Sequence, residues 1–247
     1  MQGITMQIII LGNGGAINSG LPYNAFLLNG SLLCELPPDI MRSLGDQNIN
    51  PLAIDTIFVS HFHGDHIFGA PFFLLNSFME REKQVRFIGP AGIKEHIVAI
   101  TRAAFGQSNP CLEWLETNGI FEEISHNSLI EIYPGVRFRF FRLNHSVETY
   151  GFEYIKNDKA RFVYIADTLW CDSIAEILRH KPRHVLLDMN GEPDDPEQKH
   201  LSETDVRQKA LSITGTNTKY YGTHLKKNKK STINQLEYVK AGFKIRI

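Results

Sequence analysis

The run Ser60-His61-Phe62-His63-Gly64-Asp65-His66 constrains this chain more than any other stretch of it. Three imidazoles and one carboxylate fall within six positions, directly after the strand-like run Thr56–Ser60. Four nitrogen and carboxylate donors exceed what one tetrahedral ion easily takes, so the run reads as ligands for two metal ions. The alternate residues His61 and His63 can face one ion while Asp65 and His66 turn towards a second, with Gly64 freeing the backbone to make that turn. A loop of this kind needs a rigid strand behind it and further donors from elsewhere in the chain.

Those donors stand at the ends of other strand-like runs. His145 lies two residues after Val136–Leu143, Asp167 two after Arg161–Ile165, and His224 three after Tyr221. Four strands thus deliver imidazole or carboxylate at their C-terminal ends, where rigid scaffolds commonly carry binding groups. His96, His126, His180 and His184 have no such placement and read as structural. Cys34, Cys111 and Cys171 are far apart and in no Cys-x-x-Cys pattern, which argues against both a disulfide framework and a thiolate zinc site.

The remaining pattern is that of one mixed α/β domain over residues 1–247. Further strands are expected at Gln7–Leu11, Ala25–Leu28, Ser31–Cys34, Val85–Ile88, Thr149–Ile155, Val185–Asp188 and Lys219–Tyr221, with Asn29-Gly30 as a hairpin signal. In Val136–Leu143 apolar residues alternate with arginine, as in a half-buried antiparallel strand. Helices are expected near Asp39–Leu44, Pro71–Glu80, Gly92–Phe105, Ser173–Arg179, Ser202–Ile213 and Thr232–Ala241. The helix after Ser202 carries a Ser202/Asp205 capping pair and places Val206, Ala210 and Ile213 on one face. No linker or internal repeat divides the chain, and Gly191–Glu197 reads as a loop. Two mixed sheets packed together with helices outside satisfy this order.

Lys+Arg (26) nearly balance Asp+Glu (27), so no global attraction to polyanions is implied. The first residues lack the basic and small-residue signals of a secretory leader, and no run approaches the roughly 20 apolar residues of a membrane helix. The expected location is the cytoplasm, with no membrane partner. The turn Gly12-x-Gly14-Gly15 lacks the third glycine and closing acid of a dinucleotide fingerprint and reads as a close turn. Lys226, Lys227, Lys229 and Lys230 follow His224 and read either as a solvated loop or as a rim that attracts phosphates.

Taken together, the chain resembles the metallo-β-lactamase-fold hydrolases over nearly its whole length. Within them it resembles the branch of ribonuclease Z and small cyclic-nucleotide or cyclic-phosphate phosphodiesterases. The residues that carry this are LGNGGAINSG (11–20), DTIFVSHFHGDHIFGAPFFL (55–74), IGPAGIKEHI (88–97), HSVETYGF (145–152), ADT (166–168), KHLSETDV (199–206) and GTHL (222–225). The resemblance implies a four-layer αββα sandwich of two mixed sheets with two divalent metals. His61, His63 and His145 would hold the first metal, Asp65, His66 and His224 the second, and Asp167 would bridge them. It also implies that Asp65 and His200 are catalytic, His200 acting without ligating metal, and that a homodimer forms. Zinc suits such a donor set, with manganese or iron(II) as alternatives.

Two features depart from ribonuclease Z. Cys34-Glu35-Leu36-Pro37-Pro38 stands where that enzyme has an Asp-x-Gly-x-Gly segment. Only 21 residues separate His145 from Asp167, where the bacterial enzymes insert an arm that grips tRNA. The expected substrate is therefore a small or cyclic phosphodiester or nucleotide rather than RNA, met by loops such as Gly106–Pro110 and Gly191–Lys199. The alternatives are hydrolysis of a thioester, lactone or β-lactam on the same site, or a ribonuclease Z-like nuclease acting on RNA, since fold does not fix function. A diiron redox role fits less well, because that branch resembles His-x-Glu-x-Asp. A silent binding module fits poorly with the full set of expected ligands.

Overall fold

The computed structural model describes residues 6–80, 83–193 and 198–247. In chain order the elements are β1 (Gln7–Gly12), β2 (Ala25–Leu28), β3 (Leu32–Cys34), α1 (Ile40–Asp46), a 3-10 turn (Pro51–Ala53), β4 (Thr56–Phe58), α2 (Gly64–Ile67) and α3 (Ala70–Glu80). There follow β5 (Val85–Gly89), α4 (Ile93–Phe105), α5 (Pro110–Asn118), β6 (Gly119–Glu123), β7 (Leu129–Tyr133), β8 (Val136–Arg142), β9 (Tyr150–Lys156) and β10 (Lys159–Ile165). The last are α6 (Asp172–Arg179), β11 (His184–Asp188), α7 (Glu203–Asp205), a π segment (Val206–Ala210), α8 (Leu211–Thr214), β12 (Lys219–Thr223), β13 (Leu236–Tyr238) and β14 (Lys244–Arg246).

The chain forms two compact units. The first takes Met1–Ala16, Leu21–Ile124 and Ala241–Arg246. Its seven-stranded sheet runs β14-β1-β2-β3-β4-β5-β6, antiparallel as far as β3 and parallel beyond it. The β2–β3 connection turns through Asn29 (φ 53°) and Gly30 (φ 79°), but Leu28 pairs with Leu32, so the loop has three residues. Leu27, Leu33, Ile57, Phe73, Leu74, Phe87 and Ile97 are fully or almost fully buried in one core. Removing that much apolar surface from water supplies most of the unit's stability. Gly12 sits where an added Cβ would meet the Tyr23 carbonyl at 1.9 Å, so this glycine serves a close approach of two backbones.

The second unit takes Ile17–Gly20, Ser125–Lys240 and Ile247. Its sheet runs β13-β12-β11-β10-β9-β8-β7. β7 to β10 form an antiparallel meander, and β10 to β13 are parallel. The arginine alternation in β8 comes out as expected, with Phe138 and Phe140 fully buried and Arg137 exposed. β8, β10, β11 and β12 all point the same way, so their C-terminal ends lie along one edge of this sheet.

Most expected elements are present, with instructive differences. Thr232–Ala241 is not a helix: it turns and then pairs β13 in parallel with β12, Leu236 beside Tyr220. Ile233, Leu236 and Val239 are all buried at a spacing of three, which imitates one helical face, but the open edge of β12 supplies the backbone partners. The segment after Gly106 holds helix α5, which starts at Pro110 with Asn109 Oδ1 accepting from the Cys111 N–H at 2.8 Å. The Ser202/Asp205 capping box forms. Val206 and Ala210 are buried as expected, but the π segment inserts a residue into the turn, so Thr214 rather than Ile213 completes the buried face. Within the expected loop Gly191–Glu197, residues 194–197 lie outside the described residues. Among the described residues no helix is long and apolar enough to cross a membrane.

Candidate metal and catalytic site

In the first unit, β4 ends at Phe58 and the chain carries His61 and His63 out of the sheet before α2 turns Asp65 and His66 back. His61 and His66 are completely buried. Ser60 Oγ lies 2.9 Å from His61 Nδ1 and fixes that ring. This leaves His61 Nε2 3.1 Å from His63 Nδ1. Two ligands of one tetrahedral ion, each about 2.05 Å from it, sit roughly 3.3 Å apart, so this spacing fits a shared cation. His66 Nε2 and Asp65 Oδ2 are 3.5 Å apart, in the same range. Gly64 has a different role from the one its sequence position implies. The turn at α2 needs no left-handed residue; instead an added Cβ would meet the Phe68 ring at 2.8 Å.

Glu35 completes this cluster and was noted in the sequence only as a departure from ribonuclease Z. It is fully buried, holds φ at 69°, and its Oε2 accepts from the Ser60 N–H at 3.2 Å while lying 3.3 Å from His66 Nδ1. A carboxylate on one imidazole nitrogen fixes the tautomer that presents the other nitrogen to a metal.

In the second unit the parallel strand ends deliver the remaining groups. Asp167 follows β10 by two residues, Asp188 ends β11, His224 follows β12 directly, and His145 lies three residues beyond β8. Ligating atoms of Asp167, Asp188, His200 and His224 all lie within 4.8 Å of one another. His224 Nε2 is 3.4 Å from Asp167 Oδ2, and its Nδ1 is 3.3 Å from Asp188 Oδ1. His145 Nε2 is 4.0 Å from Asp167 Oδ2. Nitrogen and carboxylate oxygen donors at these spacings fit a divalent metal of the zinc type.

His200 differs from the other histidines of this cluster. Its Nδ1 lies 2.7 Å from Asp188 Oδ2 and 3.9 Å from Asp167 Oδ2. Asp188, whose position in the sequence carried no signal beyond ending a strand, is the hub here. It is buried and also accepts from the backbone N–H groups of Thr168 at 3.2 Å and Asn190 at 3.0 Å. Burial pushes its carboxyl up, but His200 and His224 outweigh that and hold it below the ordinary carboxylate range. Burial likewise disfavours the His200 imidazolium, and the charges of Asp188 and Asp167 overcome this to raise its pKa. The pair is a histidine oriented by a buried carboxylate, the arrangement that general acid–base chemistry uses.

The other histidines have local partners. His96 stacks on Phe62 at 3.9 Å, His126 accepts from the Arg142 N–H, His180 meets Glu153 at 2.7 Å, and His184 meets Tyr221. Lys226, Lys227 and Lys230 are exposed, and Lys229 lies over the Tyr238 ring at 5.1 Å.

Residues 6–241 match the model of the family described as Anti-Pycsar protein Apyc1. The chain belongs to that family. It is also similar to ribonuclease Z from Methanocaldococcus jannaschii, 37% identical over 99 residues, which is 38% of this chain and 31% of that protein. It spans about a third to a half of the length of the curated ribonuclease Z and BN relatives it matches. Among solved structures it superposes on the metallo-β-lactamase fold protein YhfI from Bacillus subtilis with a TM-score of 0.76 at 16% identity, covering 98% of this chain and 99% of that one. A diphosphatase from the PhnP family gives 0.75 at 17%, covering 99% and 98%. This chain therefore has the metallo-β-lactamase fold that its sequence resemblance implies.

Proposed function

We propose that the chain is a metal-dependent phosphodiesterase that hydrolyses a small or cyclic phosphodiester or nucleotide. The observation that carries this reading is the Asp188–His200 pair beside Asp167 and His224. The proposed ligands of two divalent ions are His61, His63, Asp65 and His66 from the first unit and His145, Asp167 and His224 from the second. Their nitrogen and oxygen donors suit zinc, with manganese or iron(II) as alternatives. Bound there, the ions supply Lewis acidity and a lowered pKa for water. Asp65 is proposed to accept a hydrogen bond from the attacking water and so orient it. Asp188 holds His200 by Nδ1–H, which leaves Nε2 to carry a proton to the leaving oxygen.

A small substrate is supported by the short stretch between His145 and Asp167, which β9, a two-residue turn at Asn157-Asp158 and β10 nearly fill, leaving no room for a tRNA-gripping arm. A nuclease of the ribonuclease Z kind is the second reading, favoured by the 37% identity to that enzyme. The test is turnover of bis(p-nitrophenyl) phosphate by zinc- or manganese-loaded protein, beside the Asp167→Ala variant. Metal-dependent hydrolysis that falls at least about 100-fold in the variant, together with its metal content, is the expected result. No turnover by protein holding two ions would overturn the phosphodiester reading in favour of thioesters or lactones.

A further inference from the structure

A second concave site lies in the second unit, away from the strand ends that carry the donors. It is a cavity of about 620 Å³. Six cationic side chains line it: Arg137 and Arg139 from β8, Lys159 and Arg161 from β10, and Lys181 and Arg183 from the turn between α6 and β11. Two carboxylates share the lining. Asp158 pairs with Arg137, and the buried Glu153 is held by Arg139 at 3.3 Å and by His180 at 2.7 Å. Among the described residues no carboxylate forms an ion pair with Lys159, Arg161, Lys181 or Arg183.

This concentration is not a general property of the chain, whose formal net charge is −1. Like charges gathered in a concavity repel one another and focus a positive field, which an entering anion relieves. The field reaches His184, next to Arg183: burial lowers its pKa, and the charges of Arg183 and Lys219 add to this, bringing it to about 4.

We propose that this cavity binds a small polyphosphate-type anion at a site separate from the metal donors. Guanidinium groups match phosphate oxygens with paired N–H bonds, and four uncompensated cations match an anion of several charges. The volume falls within the range of small-molecule pockets. Single-stranded nucleic acid is disfavoured, because its binding surfaces alternate cations with aromatic platforms for the bases and this lining contains no Phe, Tyr or Trp. Separation follows from the strand geometry. Lys159 and Arg161 open β10 and Asp167 follows its other end, so at about 3.3 Å per residue the two sites are roughly 20 Å apart along the strand.

The test is calorimetric titration of the metal-loaded full chain with sodium trimetaphosphate at low salt, a trivalent probe that chelates free metal weakly. One saturable site per chain is expected. Its Kd should rise at least tenfold in Arg161→Gln/Arg183→Gln and at least threefold in Lys181→Gln, at an exposed position. It should stay within twofold in Asp167→Ala. Absence of saturable binding would overturn the proposal. So would weakening in Asp167→Ala with no change in the arginine variant, because the anion would then sit at the metal donors. An oligouridylate that binds more tightly than trimetaphosphate through the same arginines would replace the proposal with a nucleic-acid surface.

Discussion

Glu35 holds a left-handed backbone conformation that costs a non-glycine residue on the order of 1 kcal/mol. That cost is offset where its carboxylate meets the Ser60 N–H and the His66 ring. Glu35→Gln keeps the size and an acceptor but removes the charge, so the expected outcome is a rise in metal Kd of about 10- to 100-fold, read by competition with a chelator. Unchanged affinity would restrict Glu35 to a folding role. His184 makes a second prediction. Its pKa is lowered to about 4, so between pH 6.5 and about 4 the unfolded chain binds the proton and the folded chain does not. Stability present above pH 6.5 is therefore lost as the pH falls through that window. With the ring partly in contact with water, the loss is expected to be about 1 kcal/mol greater than in His184→Gln, compared by urea unfolding at pH 6.5 and 4.5. Legibility at this scale followed distance along the chain. His61, His63, Asp65 and His66 stand within six residues and announce themselves, whereas Glu35 meets a backbone N–H 25 positions on and Asp188 meets histidines 12 and 36 positions on. A lone carboxylate at the end of a strand carries no mark of such partners.

Among the elements, the segment around His200 depends on a glycine facing it. Gly191 donates its N–H to the Leu201 carbonyl at 3.0 Å, and a Cβ there would meet the His200 carbonyl at 2.4 Å. Gly191→Ala must push the His200 segment away from the strand end that holds Asp188. The expected result is a fall in kcat of at least about tenfold with KM little changed and a stability loss of about 1–3 kcal/mol. A destabilised variant with wild-type kcat would show that His200 tolerates the displacement. Strands with strong alternation, such as β8, and helices with a clear cap, such as the one after Ser202, were legible because each local signal agreed with its packing. β13 was not, because three buried residues at intervals of three serve a helix or a turn and strand equally well until β12 offers its edge. β14 carries no periodicity of its own in three residues and exists through pairing with β1.

For the molecule as a whole, fold class was legible because metal-ligand spacing and the alternation of strands and helices pointed the same way. Strand order within each sheet was not, since it depends on pairings such as β1 with β14 across more than 200 residues. Ligand binding to the folded state alone gives a prediction at this scale. An ion held at a hundredfold excess over its Kd stabilises by about 2.7 kcal/mol. For a chain of this size, removing it by chelation should lower Tm by roughly 5–10 °C, and adding zinc back should restore it. A Tm indifferent to chelation, in protein shown to lose its ions, would mean that the donor clusters are rigid without them.

The pairing of β1 with β14 also sets an order of events during synthesis. β1 emerges from the ribosome well before its partner, from which about 230 residues separate it. At 5–20 residues per second, the outer edge of β1 waits roughly 10–50 s for Lys244–Arg246. Until then Gln7, Ile8 and Ile9 present an unpaired strand edge beside an apolar core, the template on which nascent chains join one another. Of the two units, the one whose translation starts earlier is closed only by the strand that arrives after the other unit's sheet is complete.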